Sequence, residues 1–443
     1  MDAELDAAVD LWRGYVQRHR VISVADVDEM EDHLREQVST LQDAGLSSEE
    51  AFLVAVKRMG NVDSISREFA REHSDRLWKQ LVLMPEDVGR QSNRELMMVI
   101  AIALAAGLAV KTGITFLQEE TLALNLSLLV LPFLTGYFAW KRQVSAPVAV
   151  ALIVPFVLAA LVLNLYPFED GGSTVVLAGI HAPIALWLVV GLAYAGGDWR
   201  SDRPRMDFIR FTGEWFVYLT LLALGGGVLM GLTAAAFDAL DLDIEPVITR
   251  WIMPFGAAGA VIIAAWLVEA KQNVIENIAP VLTRVFTPLT ILMLLALLGA
   301  FATTRSFTGI DRDLLIQMDL ILVLVLGLLL YTISARDPLA PPAFFDRVQL
   351  VLVSSALIVD VMMLAVMATR IAEFGSSPNK IVALGMNVVL LVNLAWSAHL
   401  SLRFLRGRTP FTALEHWQTR YLPVYGAWAA VVVVVIGPLF AFA

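Results

Sequence analysis

Long apolar runs dominate the sequence after Arg94. About eleven of them approach the roughly 20 residues that a helix needs to cross the hydrocarbon core of a bilayer. Lipid offers no hydrogen-bond partners to the backbone, so such runs must satisfy their amides internally, as helices. We therefore predict an all-α fold, a polytopic transmembrane helical bundle of about 11 spans. The predicted spans are 96–117, 121–140, 146–166, 175–195, 213–236, 251–269, 285–304, 314–335, 347–369, 379–402 and 423–442.

Composition agrees with a membrane protein and excludes several other classes. Hydrophobic residues make up 58% of the chain, and the mean hydropathy is +0.70. A formal net charge of -10 disfavours nucleic-acid binding by the whole chain. The chain has no cysteine, which excludes disulfides, thiolate metal sites and cysteine nucleophiles. Acidic residues in the opening MDAELDAAVDLWRGYVQRHR are unlike the basic start of a secretory signal peptide.

Motifs of the common enzyme classes are missing from the sequence. It contains no GxxxxGK[ST] for phosphate binding, no HExxH for zinc and no GxSxG for a serine nucleophile. Its 6 histidines are scattered without the spacing of metal ligands. We therefore expect a non-enzymatic protein with no cofactor and no metal site.

Residues 1–94 have the character of a soluble helical region, with 19 Asp/Glu against 12 Lys/Arg. Apolar spacing predicts helices over about 3–20, 27–44 and 48–59, and a fourth from about Asp63. Capping boxes are predicted where an acceptor precedes glutamate by three residues, at Asp26 with Glu29 and at Ser47 with Glu50. The predicted shared core consists of Leu34, Val38, Leu41, Phe52, Val56, Met59, Ile65 and Phe69.

The stretch DVDEMEDHLREQVSTLQDAGLSSEEAFLVAVKRMGNVDSISREFARE resembles the permease-prefix domain, a helix-turn-helix-associated alpha-helical signalling domain. The segments that carry this resemblance are AGLSSEEAF, AVKRMGN and the closing REFA. The resemblance implies a cytoplasmic input or docking module over 1–78 of a bacterial inner-membrane protein. It also implies a PadR-type regulator or another cytoplasmic protein as partner. Hydropathy predicts a linker over 79–94 and a transmembrane domain over 95–443. The remaining residues resemble the multi-span regions of similar bacterial proteins. That resemblance does not imply a mechanism.

Basic residues predict the orientation of the spans. With a cytoplasmic N-terminal domain and eleven spans, sixteen Lys/Arg flank the inner ends and five flank the outer ends, so the C-terminus lies outside. The inner set is Arg90, Arg94, Lys141, Arg142, Arg200, Arg203, Arg205, Arg210, Lys271, Arg284, Arg336, Arg347, Arg403, Arg406, Arg408 and Arg420. The outer set is Arg250, Arg305, Arg312, Arg370 and Lys380.

Polar residues inside the predicted spans are the candidate functional site. An aspartate at bilayer depth costs about 2.5–3.5 kcal/mol on insertion scales, so such residues are expected to pair or to line a cavity. Their predicted depths allow one layer in the outer half of the bundle. Proton relay, cation binding and an anionic head-group pocket are the functional interpretations; a structural Lys–Asp pair with a snorkelling lysine is the alternative. The candidates are Asp360, Asp319, Lys111, His181, Asn387 and Asn125.

A second polar group is predicted at the inner face, in WLVEAKQNVIENIAPVLTRVF. Its candidates for coupling to the N-terminal domain are Glu269, Lys271, Glu276 and Arg284, and an interfacial amphipathic helix is the alternative. Gly227 and Gly231 form a small-xxx-small pair that predicts close helix packing.

Three function classes follow from these features. The preferred prediction is a sensor or regulator that couples a membrane-embedded polar site to the cytoplasmic helical domain. The alternatives are a permease or channel for a small ion or amphiphile, controlled by that domain, and a membrane scaffold. The lipid bilayer is the expected surrounding partner, and homo-oligomer formation is left open.

Overall fold

A computed structural model describes residues 8–9, 24–43, 46–59, 85–239, 242–270, 278–304 and 312–443. Regular structure in these ranges is entirely helical, as predicted. The helices are α1 Val24–Asp43, α2 Ser48–Met59, α3 Pro85–Phe116, α4 Glu119–Lys141, α5 Ala146–Leu165, α6 Ser173–Tyr194, α7 Asp202–Asp238, α8 Glu245–Ala270, α9 Ile278–Thr304, α10 Arg312–Ala335, α11 Phe344–Phe374, α12 Pro378–Leu405 and α13 Thr412–Leu439.

The eleven helices α3 to α13 are the candidate membrane spans. Among the described residues, 11 helices are long and apolar enough to cross a bilayer, which confirms the predicted number. Several of them are longer than predicted; for example, α7 begins at Asp202, α13 begins at Thr412, and α11 occupies Phe344–Phe374. Hydropathy detects only the part of a helix that lies in hydrocarbon, whereas backbone hydrogen bonding continues the helix into its polar first turns.

The chain divides into two compact units, Met1–Met97 and Met98–Ala443. In the first unit, α1 and α2 pack through a small apolar core. Five predicted core residues are buried there, which confirms that part of the prediction: Leu34, Val38, Leu41, Phe52 and Val56. The side chain of Met59, together with Ile65 and Phe69, lies outside the described part of the chain, as do the predicted fourth helix and most of the first.

The capping box at the start of α2 is confirmed. The backbone N–H of Ser47 donates to Glu50 Oε2 at 3.1 Å, and the N–H of Glu50 donates to Ser47 Oγ at 3.4 Å. The box predicted at Asp26 is wrong, because α1 already includes Val24 and places Asp26 inside the helix. An N-cap residue precedes the first helical residue and has non-helical backbone angles, a position that Asp26 does not occupy.

Contacts between helix ends identify two sides of the second unit. On one side, Arg142 donates to the carbonyl of Tyr194, and Arg210 donates to the carbonyl of Ser334. We call this the basic side. On the opposite side, Asn379 Nδ2 donates to Ser173 Oγ at 3.1 Å. We call this the acidic side, after the runs QEE, FED and FDALDLDIEP that lie at this end of the predicted spans.

Two large apolar clusters, with two smaller ones beside them, form the interior of the second unit among the described residues. The larger one joins α3 to α8, with Tyr137, Phe138 and Phe208 among its most buried side chains. The other joins α9 to α13, and includes Leu322 and Val359. Helices α9, α10 and α12 all pack against α11, which is therefore the central helix of the second cluster.

Glycines allow close helix contact in this fold, although not at the predicted pair. A Cβ added at Gly227 or Gly231 of α7 would have no neighbour within 4 Å, so close packing of this pair against another described helix is wrong. Close approach occurs instead at Gly385 of α12, where a Cβ would lie 2.0 Å from the ring of Trp428 in α13. Close contact thus depends on which face of each helix is turned toward its neighbour, and the spacing of small residues does not specify that face.

Replacing Gly385 by alanine is expected to lower the free energy of unfolding by about 1–3 kcal/mol, the usual cost of overpacking. The rigid indole of Trp428 occupies the space that the new methyl group needs. Gly231→Ala is the matched control, with an expected change within about 0.5 kcal/mol, as for ordinary surface substitutions. Denaturant unfolding of both variants in the same detergent tests this, and equal losses would contradict it.

Candidate functional site

Asp360 lies near the middle of α11, inside the second apolar cluster. Its side chain is 0% exposed, and neither carboxylate oxygen has a hydrogen-bond partner. Buried polar atoms are nearly always paired, and a buried charge without a partner is more costly still. Asp360 is therefore the most unfavourable buried acid in the described chain, and its cost calls for a functional explanation.

Asp319 and Asn387 bring two further polar groups to this region. Asn387 Nδ2 in α12 donates to Asp319 Oδ1 in α10 at 3.0 Å. Asn387 is 0% exposed and its Oδ1 has no partner, whereas Asp319 is half-buried. Helix α10 packs against α11, and Met318 and Leu322 beside Asp319 share the second apolar cluster with Val359 and Met363 beside Asp360. We call Asp319, Asp360 and Asn387 the acid site.

The three residues lie at different distances from the acidic-side ends of their own helices. Asp319 lies seven residues after Arg312, Asn387 nine after Pro378, and Asp360 fourteen before Phe374. At a rise of about 1.5 Å per residue, these distances are about 10, 14 and 21 Å along the helices. The acid site therefore extends inward, from a half-buried carboxylate to a sealed one.

The other three predicted site residues lie elsewhere. The ammonium group of Lys111 sits 4.6 Å from the ring centroid of Trp251, and it forms no ion pair with a described acid. His181 Nδ1 contacts the carbonyl of Leu177 at 2.9 Å, one turn earlier in the same helix. The predicted single polar layer is thus wrong for these two residues, because their side chains point to other neighbours.

Asn125 is engaged in a separate amide pair. Its Nδ2 donates to Asn164 Oδ1 at 2.9 Å, and Asn164 Nδ2 donates back to Asn125 Oδ1 at 2.8 Å. This reciprocal pair joins α4 to α5 within the apolar part of the bundle. Interhelical amide bonds of this kind stabilise membrane helix contacts, so Asn125 has a structural role rather than a place in the acid site.

The coupling candidates on the basic side are only partly described. Glu269, at the end of α8, has a 3% exposed side chain that pairs with Arg142 Nη2 at 2.9 Å and with Lys141 Nζ at 3.4 Å. The guanidinium of Arg142 also lies 4.9 Å from the ring centroid of Tyr194. These contacts join the basic-side ends of α4, α6 and α8. Arg284 is exposed on α9, and Lys271 and Glu276 lie outside the described residues.

A buried ion pair that hydropathy does not mark lies at the basic-side end of α11. Arg336 Nε and Nη2 donate to the two oxygens of Asp346 at 2.8 and 3.0 Å, with exposed fractions of 12% and 9% for the two side chains. The guanidinium sits 4.8 and 4.3 Å from the rings of Phe404 and Phe411. We call this the arginine clamp. Asp346 lies three residues after Ala343, which precedes the first residue of α11. An acid is common at this position, and that spacing is the feature of the sequence that could have identified Asp346.

A fully buried amide network, which no sequence motif indicates, lies between α12 and α13. Asn393 Nδ2 donates to Gln418 Oε1 at 2.9 Å, and Gln418 Nε2 donates to Ser397 Oγ at 2.7 Å. All three side chains are 0% exposed. Because these polar atoms bond to one another, they join α12 to α13, in contrast to the unpartnered oxygens of Asp360.

No protein-family model, no curated protein and no solved structure matches this chain. The fold therefore defines the class by itself: the chain is a multi-pass integral membrane protein, an all-α bundle with 11 candidate spans among its described residues. In the same residues, no three His, Cys, Asp or Glu side chains come together as metal ligands. The acid site is thus two carboxylates and one amide.

Proposed function

We propose that this protein is a non-enzymatic membrane regulator, in which the occupancy of the acid site sets the conformation of the basic side. The observation that carries the proposal is Asp360, a fully buried carboxylate with no partner for either oxygen. An ionised Asp360 without a partner raises the free energy of the protein when the acid site is empty. A cation that binds one conformation of the protein more tightly than the other therefore shifts the balance between them.

Helix α11 supplies the mechanical connection. Asp346 of the arginine clamp and Asp360 lie fourteen residues apart on this one helix, about 21 Å along its axis. A small rotation or shift of α11 on ligand binding therefore reaches the clamp. The clamp contacts Phe404 of α12 and Phe411 just before α13, so the movement spreads to two more helices.

The basic side is the cytoplasmic side in this proposal. In the sequence, sixteen Lys/Arg flank the ends of the predicted spans assigned to this side against five at the other ends, in agreement with the positive-inside rule. The N-terminal helical unit, with its resemblance to a permease-prefix domain, then receives the conformational signal and presents it to a PadR-type regulator or another cytoplasmic protein. Its location is the bacterial inner membrane, with the C-terminus outside.

A cysteine-labelling experiment tests this coupling, since the natural chain has no cysteine to give a background. Ser334 is 2% exposed beside the Arg210 contact, so Ser334→Cys reports opening of the basic side. We expect Asp360→Asn to change its labelling rate by about 5-fold or more, the usual lower range of coupling between sites.

Thr135→Cys is the matched reporter in the first apolar cluster, where Thr135 is 5% exposed. Its labelling rate is expected to stay the same in the Asp360→Asn background. Unchanged labelling of Ser334→Cys with both Asp360→Asn and Asp360→Leu would reject the regulator proposal.

A permease for a small cation is the second candidate. Two π-helical segments, Ile248–Ile252 in α8 and Val432–Ile436 in α13, favour it, because π-segments in helices often accompany functional sites. Cation flux into proteoliposomes that is lost in Asp360→Asn would support this candidate over the regulator.

A further inference from the structure

We infer that the ligand of the acid site is a proton, which enters at Asp319 from the acidic side and is held by Asp360. The inference rests on the proposed function, since it names the ligand of the same site. It is carried by the order of the three residues in depth and by the free oxygens that the structure leaves at the deepest position.

The chemistry around Asp360 fits a proton. The helices packed against α11 are α9, α10 and α12. Among the ionisable groups on these helices, Asp319 of α10 lies beside Met318 and Leu322, which belong to the apolar cluster around Asp360; Arg284 of α9 is exposed, and Lys380 of α12 bonds carbonyls at the acidic-side end, including that of Gly375 at 2.8 Å. No described base therefore compensates the charge of Asp360, and the addition of a proton to the carboxylate removes that charge.

A metal cation fits the site less well. Hard cations such as Ca²⁺ and Mg²⁺ take six or more oxygen ligands. The acid site offers the two oxygens of Asp360 and Oδ1 of Asn387 as unpartnered, fully buried atoms, while Asp319 Oδ1 already accepts a hydrogen bond. Three such atoms do not complete a coordination shell, whereas a proton needs one oxygen to form its bond and one acceptor.

The route follows from the exposure of the three residues. Asp319 is half-buried nearer the acidic side, and Asp360 is sealed about 21 Å deep. A proton from water on the acidic side forms an O–H bond with Asp319, at the oxygen that Asn387 leaves free. Water that enters the site takes this proton from Asp319 as it gives one of its own to a carboxylate oxygen of Asp360, so an O–H bond forms for the one that breaks, and Asp319 returns to its ionised state.

Asn387 acts as a positioning residue for this transfer. Its amide N–H group holds Oδ1 of Asp319 at 3.0 Å, which directs the other carboxylate oxygen to the incoming proton. Its own Oδ1 is fully buried and lacks a donor, so it is the acceptor that the protonated site still has to offer. Replacement by leucine removes both polar groups, whereas glutamine keeps them on a longer side chain.

Infrared difference spectroscopy of the full chain in nanodiscs tests the inference. Lowering the pH is expected to produce the C=O stretching band of a protonated carboxylic acid, with a shift in D₂O. The band is expected to be absent in Asp360→Asn and retained, at a shifted frequency, in Asp360→Glu. Glu373→Gln, which removes an exposed acid from the same helix, is expected to keep the band unchanged. A band of wild-type size in Asp360→Asn would overturn the inference.

The route is tested by the rate at which this band appears after a pH jump. Asp319→Asn is expected to slow protonation of Asp360 by about 100-fold, the contribution of a positioned proton-transfer group. An unchanged rate would overturn entry through Asp319. If sodium chloride in place of choline chloride suppresses the band at constant pH, the ligand is sodium rather than a proton.

The two proposals fail separately in these experiments. A pH-dependent Asp360 band with no labelling response at Ser334→Cys would keep the proton site and reject the regulator. A labelling response to Asp360→Asn without any Asp360 band would keep the regulator and reject the proton as its ligand.

Discussion

Asp346→Asn is expected to lower the free energy of unfolding by about 3 kcal/mol, the lower end of the range for breaking a buried ion pair. Asp346 receives two hydrogen bonds from Arg336, at 2.8 and 3.0 Å, and one from the backbone N–H of Ala343 at 2.7 Å. The two charged side chains are only 12% and 9% exposed, so the substitution leaves a buried guanidinium without its counter-charge.

Unfolding of the variant by denaturant in mild detergent measures this loss. Glu373→Gln is the control, because it removes an exposed acid from the same helix α11. Its expected change is within about 0.5 kcal/mol. A loss at Asp346 no larger than that of the control would show that the arginine clamp contributes little to stability.

Asp360→Asn is expected to act in the opposite direction and to raise the free energy of unfolding by about 1–3 kcal/mol. The cost of an aspartate at the centre of a membrane helix is of this order on insertion scales. In this protein, neither oxygen of Asp360 receives a hydrogen bond that would offset the cost. The amide of asparagine has nearly the same shape and carries no charge.

The same unfolding experiment, at a pH near 7, compares Asp360→Asn with Asp360→Leu and with Asp346→Asn. Stabilisation by both Asp360 variants, together with the loss of coupling to Ser334→Cys, is the pattern of a functional residue that is retained at a cost in stability. Destabilisation by Asp360→Asn of the size seen for Asp346→Asn would show that Asp360 has a structural partner, and it would remove the basis of the acid site.

Periodicity predicted the two described helices α1 and α2 of the N-terminal unit and the core between them. Leu34, Val38 and Leu41 recur at intervals of three and four residues, and all are buried on one face of α1. The capping box of Ser47 and Glu50 was also readable, because it depends on two residues of fixed spacing. Asp26 shows the limit of such local patterns, since an acid followed by glutamate three residues later also occurs inside a helix.

Depth was predicted for the polar residues of the spans, but their orientation around each helix was not. Asp319 and Asn387 have similar depths and do meet, at 3.0 Å. Lys111 has a comparable depth in its own span and instead contacts Trp251. Depth follows from counting residues along a span, whereas the direction of a side chain depends on how each helix is rotated against its neighbours. Spans that are apolar on all sides carry little information about that rotation.

The sequence by itself predicted a multi-pass membrane protein and the number of candidate spans among the described residues, because length and hydropathy act locally along the chain; the orientation indicated by Lys and Arg stays a prediction. Only the tertiary structure decided which buried acid is compensated. Asp346 and Asp360 lie on the same helix, and the sequence does not distinguish them. Arg336 forms an ion pair with Asp346, whereas no described base pairs with Asp360. This difference arises because pairing depends on distances between helices, which no single span specifies.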